Sequence, residues 1–233
     1  MEFNQAMAQT IAENTAITED ERSLIVSFTE VCCFLSDNPI FLSWRGKKKP
    51  SVFNDEGLNI LAQKYFDGYR KSDFPAIPQT VPDEIVSVVM QVAYGYSEEQ
   101  CNQIKLEHQH SMCAENCVGA LLERYLDSVL RSNGWHWCCG NFVKAIDFIR
   151  RNDDGTWLPL QIKNRDNSEN SSSSAIRNGT PIQKWFRSFS KTGKTNWDNL
   201  PPSMQGYSLN EQGFINFVRQ YLDEEKRHRN YQK

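Results

Sequence analysis

The chain has no run of about eighteen apolar residues, which excludes a conventional membrane-spanning helix. Residues 1–14 are polar and carry Glu2 and Glu13. They offer no basic stretch leading into an apolar one, so no signal peptide is expected and a cytoplasmic location is the default. Zinc spacing is missing as well. Of the seven cysteines (Cys32, Cys33, Cys101, Cys113, Cys117, Cys138 and Cys139), only Cys113 and Cys117 stand at a ligand-like interval, and no second half faces them. The odd count and the adjacent pairs also exclude a small disulfide framework, so the cysteines are expected to be buried, reduced thiols. Lys191-Thr192-Gly193-Lys194-Thr195 resembles part of a P-loop but lacks the first glycine and a following helix, which removes nucleotide binding. There is no internal repeat.

Excess positive charge is absent overall, since the formal net charge is −3. The distribution is uneven, however. From Lys163 to Lys194 the bases are Lys163, Arg165, Arg177, Lys184, Arg187, Lys191 and Lys194, against only Asp166 and Glu169. Acids concentrate elsewhere, as in Glu19–Glu21 and Asp223–Glu225. An acidic chain can still present one basic face to a nucleic acid.

A 39% hydrophobic content over 233 residues supports one large domain, or one with a small satellite. Helical spacing of Leu24, Ile25, Phe28, Val31 and Leu35 predicts a helix over 19–36. Residues 45–51 form a basic loop, and Asn54 or Asp55 is placed to cap a helix through Tyr69. Pro75, Pro78 and Pro82 mark an extended connector, followed by expected helices over 83–94 and 97–109. A long amphipathic helix is predicted over 112–132, stopped by Asn133-Gly134. Strands follow within 135–150 and 157–163, joined through Asp153-Asp154-Gly155. A helix over 180–189 is expected from Thr180 as cap, Pro181 at the first position and Ile182, Trp185, Phe186 and Phe189 beyond. A last helix is expected from about 209 to 226. The order of helices, hairpin and helices points to an α/β (α+β) class with a small central sheet.

The chemistry concentrates on the predicted hairpin. One strand brings Asp147, and the next brings Gln161 and Lys163 to the same side by the two-residue alternation of strands. Ile146, Phe148 and Ile162 then face an apolar side. An acid, an amide oxygen and a lysine at one sheet end suit phosphodiester hydrolysis. Mg²⁺ takes oxygen ligands, here Asp147, Gln161 and the backbone carbonyl of Ile162. A bound cation acidifies a water, and Lys163 orients that water and offsets developing negative charge. The preceding helix carries Glu115 and Glu123, one face apart at i and i+8. Either could reach the metal, and Glu123 is nearer in sequence to the strands.

Asp147 with Gln161-Ile162-Lys163 resembles the PD-(D/E)xK nuclease core, with glutamine in place of the usual acid and no proline before Asp147. The run from Lys163-Asn164-Arg165-Asp166-Asn167 through Ser174-Ala175-Ile176-Arg177-Asn178-Gly179-Thr180 is more distinctive. With Lys184-Trp185-Phe186-Arg187 and Thr192-Gly193-Lys194-Thr195-Asn196-Trp197, it is similar to the SinI family of type II restriction endonucleases over roughly residues 112–200. That resemblance implies a restriction-endonuclease-like core with a small central mixed sheet flanked by helices, plus an N-terminal helical region. It implies a prokaryotic host, Mg²⁺ as cofactor, and double-strand cleavage of DNA at a five-base-pair GGWCC-like site. A cytosine-5 DNA methyltransferase would act on the same site, and Asp147, Gln161 and Lys163 would be the catalytic positions.

Two divisions of the chain are expected: a helical region 1–110 for dimerisation or DNA clamping through Lys47, Lys48 and Lys49, and a nuclease core 111–233. DNA recognition is expected within 164–200, through Asn164, Arg165, Asn167, Ser168, Asn170, Ser171, Arg177, Lys184, Arg187, Lys191, Lys194 and Asn196. Arginine suits guanine edges, asparagine suits adenine, and lysine suits phosphates. A near-palindromic site implies a homodimer. Two other readings remain open at this level: a repair or junction-resolving nuclease on the same core, and a DNA-binding module inactivated by Gln161.

Overall fold

The computed structural model describes residues 2–44, 49–166 and 179–231. Two compact units interleave along the chain. One comprises residues 1–71 and 122–220, the other residues 72–121 and 221–233. Two helices pass from one unit into the other: α6 (Glu98–Leu130) and α7 (Glu211–Tyr231). Residue 110 therefore falls inside a helix.

The first unit is built on a mixed four-stranded sheet in the order β1 (Trp135–Trp137), β2 (Phe148–Arg151), β3 (Trp157–Arg165) and β4 (Gln183–Ser188). The first three strands are antiparallel and β4 runs parallel to β3. The class is α+β, as composition and element order imply. The β2–β3 turn is made as expected, with Gly155 at φ 81° and Asn152 N–H donating to Thr156 O at 2.9 Å. Glycine accepts this left-handed conformation without the Cβ clash that other residues pay for.

The helices that support the sheet are α1 (Gln5–Thr15), α2 (Glu19–Arg22), α3 (Ile25–Asp37) and α4 (Asp55–Arg70). The single helix expected over 19–36 is two, because the chain turns at Ser23-Leu24 after a short helix capped by the Thr18 hydroxyl. Polar residues 1–14 held no obvious pattern, yet α1 forms and buries only Ala8, Ile11 and Ala12. Asn54 caps α4 as anticipated, its Oδ1 accepting from Gly57 N–H at 2.8 Å. Leu58, Leu61, Ala62, Tyr65 and Phe66 form the buried stripe of α4, and Phe28, Tyr65, Phe66 and Phe142 meet edge-on or tilted within 6.3 Å. At roughly 1.5–3 kcal/mol for each large side chain removed from water, this aromatic cluster is a main source of the unit's stability.

Close backbone contact fixes the loop that leads to the site. Gly68 of α4 and Gly140 lie so near each other that a Cβ on Gly68 would sit 2.5 Å from the Gly140 Cα. A Cβ on Gly140 would meet Lys64 O at 2.4 Å, and Gly140 also has φ 94°. Tyr65 Oη donates to Trp137 O at 3.1 Å beside this contact. The β1–β2 connection is thus clamped onto α4.

In the second unit, α5 (Glu84–Tyr94) and the first part of α6 form an antiparallel pair joined at Ser87 and Cys101, whose thiol points at Ser87 O at 3.8 Å. The helices expected at 97–109 and 112–132 are one, since nothing between them breaks a helix and no glycine or proline falls there. A 3-10 turn over Arg131–Asn133 and Gly134 at φ 75° end it. Among the described residues no helix is long and apolar enough to cross a membrane. All seven cysteines are free, but Cys33, Cys113 and Cys117 are half-buried rather than buried.

One expected element is of another kind. Residues 180–189 do not form a helix; Gln183–Ser188 is strand β4. Ile162 pairs with Trp185 and Gln161 with Lys184 in its register. Trp185 and Ser188 are buried, and Trp185 Nε1 donates to Asn196 O at 3.2 Å. Aromatic spacing compatible with a helix is overridden here by pairing with an already formed strand.

Candidate active site

Asp147 directly precedes β2. Its N–H donates to Leu160 O at 2.9 Å, and its Oδ2 accepts from Ile162 N–H at 2.6 Å. Cys138 N–H donates to Asp147 O at 2.8 Å. The Cys138 bond continues the β1–β2 register by one residue, whereas the Asp147 N–H reaches the carbonyl of Leu160, the partner of Phe148, so Asp147 meets the row of Gln161 and Lys184 from a bend at the start of β2. Gln161 and Lys163 share one face of β3 by its two-residue alternation, and the Lys163 charge acts on the Asp147 carboxyl. The structure therefore brings Asp147, Gln161 and Lys163 together. Ile146, Phe148 and Ile162 are buried on the alternate side.

Electrostatics single out Asp147. Burial pushes its carboxyl up to about 6, against the Ile162 N–H and the Lys163 charge, which both favour ionisation. A desolvated carboxylate beside a lysine is the local pattern expected of a reacting site. Two residues upstream, Ala145 has φ 55°, a left-handed conformation that costs a non-glycine residue about 1 kcal/mol. The bend it makes sets the approach of Asp147 to β3. Gln161 is only 1% exposed, so its amide is withheld from bulk water at the centre of the site.

Of the two helix glutamates, Glu123 is the one tied to this neighbourhood. It is half-buried, and its Oε2 accepts from Trp137 Nε1 at 3.0 Å. Glu123 and Asp147 both raise the Cys138 thiol, whose own burial is the main cause of its shift. Glu115 belongs to the other unit and is exposed. Among the described residues no three His, Cys, Asp or Glu side chains cluster as a metal cage. A cation here would depend on Asp147, the Gln161 amide and the Ile162 carbonyl. That hard, oxygen-only donor set with a single adjacent charge fits a divalent ion that keeps waters of its own.

The expected recognition residues fall into four groups. Asn167, Ser168, Asn170, Ser171 and Arg177 lie outside the described residues, as do Lys47 and Lys48. Arg165, Lys191 and Lys194 are exposed, the last two on a turn where Gly193 N–H donates to Phe189 O at 2.8 Å. Asn164, Arg187 and Asn196 are engaged within the fold. Arg187 donates from Nη1 to Glu211 Oε1 at 2.6 Å and from Nε to Asn164 Oδ1 at 2.9 Å, with its guanidinium over Phe214. Asn196 is buried and donates to Phe186 O at 3.0 Å. Lys184 is half-buried next to Gln161. A helix over 180–189 would not place it there; strand β4 does. Alternation across Gln183–Ser188 is the signal that could have revealed it.

A family model described as SinI restriction endonuclease matches residues 8–224. The chain belongs to the SinI restriction endonuclease family. Membership covers nearly the whole chain, well beyond the stretch 112–200 that carries the motifs. The type II restriction enzyme Eco47I of Escherichia coli is 46% identical over 192 residues, spanning 81% of this chain and 83% of that protein. The type II restriction enzyme SinI of Salmonella infantis is 51% identical over 168 residues, spanning 72% and 73%. As a member of this family the chain is an enzyme, a restriction endonuclease, as the motifs imply.

Proposed function

We propose that this restriction endonuclease makes Mg²⁺-dependent double-strand cuts in DNA at a short GGWCC-like site, with Asp147, Gln161 and Lys163 as its catalytic positions. The observation that carries the reading is the constellation itself: a desolvated carboxylate at Asp147, held by Ile162 N–H, opposite a buried Gln161 amide and within electrostatic reach of Lys163.

Asp147, the Gln161 amide and the Ile162 carbonyl would hold the cation, with Glu123 as the acid placed to join them. When bound, the cation acidifies water and neutralises charge on the phosphate. The chain's own residues do the rest. Ile162 N–H fixes one Asp147 oxygen, which leaves the other directed by the β2–β3 register. The Lys163 ammonium orients the attacking water and stabilises the charge that builds on the phosphoryl oxygens as one P–O bond forms and the ester P–O bond breaks. Gln161 is buried and Asp147 half-buried, and the low dielectric around them strengthens each of these interactions.

Recognition of DNA would come from the segment that starts at Lys163. Arg165 follows the catalytic lysine by two residues and is exposed, which suits a guanine edge. Lys191 and Lys194 suit phosphates. Arg187, engaged with Glu211 and Asn164, would act by bracing β4 against the start of α7 rather than by touching DNA. Cleavage of both strands of a near-palindrome calls for two copies of the chain, and a cytosine-5 DNA methyltransferase would protect the same site in the host. Methylation-free DNA digested with Mg²⁺ and sequenced at its ends tests the proposal. Discrete fragments ending within one short motif are expected; random ends, or no cleavage, would refute it.

A further inference from the structure

Strand β4 is an edge of the sheet, and Lys184 stands on it half-buried. A lysine that only guards an edge strand against unwanted pairing keeps its charge in open water, as Lys191 and Lys194 on the following turn do. Lys184 instead lies in register with the buried Gln161, at the spacing of about 4.8 Å that neighbouring strands keep. Residues in register on paired strands share a face, so Lys184 lies on the face of Gln161 and Lys163. Its neighbours on the other face of β4 serve the fold: Gln183 Oε1 accepts from Ser203 Oγ at 3.0 Å, and Arg187 donates to Glu211.

We infer that Lys184 is a second catalytic lysine, whose ammonium contacts the scissile phosphate from the side of Gln161 away from Asp147. The inference rests on the function proposed above, with Asp147, Gln161 and Lys163 as the reacting site. Strand β3 lies between β2 and β4, so Asp147 and Lys184 flank Gln161 from opposite sides. The lysine charge that acts on the Asp147 carboxyl is that of Lys163, which leaves Lys184 to the far side. The neutral residue at 161 matters here. A carboxylate in that place would pair with Lys184 across the strands and cancel its charge, whereas the glutamine amide does not. Lys163 and Lys184 are one strand across and two residues along from each other, with Cα atoms on the order of 8 Å apart. Two like charges held on one face favour an anion between them. As the attacking oxygen bonds to phosphorus and the ester P–O bond breaks, negative charge grows on the phosphoryl and leaving oxygens, and a half-buried ammonium fixed by a strand meets it without reorganising.

The test compares wild type, Lys184→Gln and Lys184→Arg on one cognate duplex. With Mg²⁺ and saturating enzyme, Lys184→Gln should cut at least thirtyfold more slowly in a single turnover, while its specific binding in Ca²⁺ stays within fivefold of wild type. Lys184→Arg keeps the charge and should cut at least fivefold faster than Lys184→Gln. Without DNA, Mn²⁺ titrated calorimetrically should bind Lys184→Gln at least twofold more tightly than wild type, because a nearby positive charge has gone. A residue that merely supported Gln161 would weaken that binding. Were Lys184→Gln to unfold, wild type decides: acetylation of Lys184, read by mass spectrometry, should slow at least tenfold on the cognate duplex in Ca²⁺. It should slow less than threefold on the same duplex nicked so that the scissile phosphate is missing. A rate loss under thirtyfold, equal losses in the two variants, weakened Mn²⁺ binding, or protection that ignores the scissile phosphate would each overturn the inference. A wild type that cuts nothing with Mg²⁺ would defeat the proposed function itself; a wild type that cuts, with Lys184→Gln its equal, would defeat this inference alone.

Discussion

Asp147→Asn should make the metal-free protein more stable while removing its activity. Burial holds the Asp147 carboxyl up near 6, about two units above an ordinary aspartate. At about 1.4 kcal/mol per unit, the ionised side chain costs the native state up to about 3 kcal/mol at pH 8. Asparagine removes that charge and keeps an oxygen to accept from Ile162 N–H. Lys163 loses a nearby opposite charge in the exchange, which returns part of the gain. The net expectation is about 1–2 kcal/mol of added stability above pH 7. Because the folded-state value is raised, the wild-type penalty is full above pH 6, shrinks as pH falls towards 4, and is gone below that, where both states are protonated. The gap between variant and wild type should therefore close over that window. Urea unfolding in chelator at several pH values between 4.5 and 8 measures it. An asparagine variant less stable than wild type at pH 8, or a gap that ignores pH, would refute the burial of a charged carboxylate at this site.

Gly140→Ala should destabilise the protein by more than about 2 kcal/mol, seen in thermal unfolding, because its Cβ would strike Lys64 O and its φ is left-handed. His136, bonded to Ser27 at 3.1 Å, is pushed down to about 4 by burial, so it stays neutral in the fold and charges in the unfolded chain below about 6.5. The His136 contribution to stability should accordingly fall as pH drops from 6.5 towards 4, opposite in sign to that of Asp147, so His136→Asn should gain stability relative to wild type over that window in urea unfolding followed by circular dichroism. Arg165→Ala should cost about 1–3 kcal/mol on the cognate duplex and little on scrambled DNA, whereas Lys191→Ala should weaken both and reduce the salt dependence by about one unit of slope. Binding isotherms at several salt concentrations separate the two, and an unchanged cognate-to-scrambled ratio for Arg165→Ala would move recognition elsewhere.

Local chemistry made part of this molecule readable before its structure. The Asp153-Asp154-Gly155 turn sets the β2–β3 register, and with it the meeting of Asp147, Gln161 and Lys163, within a span of 17 residues from 147 to 163. The Asn54 cap and the Gly134 stop are equally local. Long-range partners decided the rest. Gln183–Ser188 becomes a strand because β3 offers it a parallel edge, and its spacing alone cannot distinguish that from a helix. The link from Glu123 to Trp137 spans a helix end and a strand, and no motif announces it. Arg187 read as a DNA contact by residue type, but Glu211 of a later helix engages it. Helix α1 buries just three small or medium residues, too few to leave a pattern.

The central claim is that Asp147 and Lys163 act at the scissile phosphate rather than merely supporting the fold. The most direct measurement compares wild type, Asp147→Ala and Lys163→Ala on one methylation-free duplex, scoring cleavage with Mg²⁺ and specific binding with Ca²⁺. Both variants should bind the cognate duplex nearly as wild type does and cut it at least a thousandfold more slowly, a loss on the order of 4 kcal/mol of transition-state stabilisation. Cleavage at the wild-type rate by either variant would contradict the assignment.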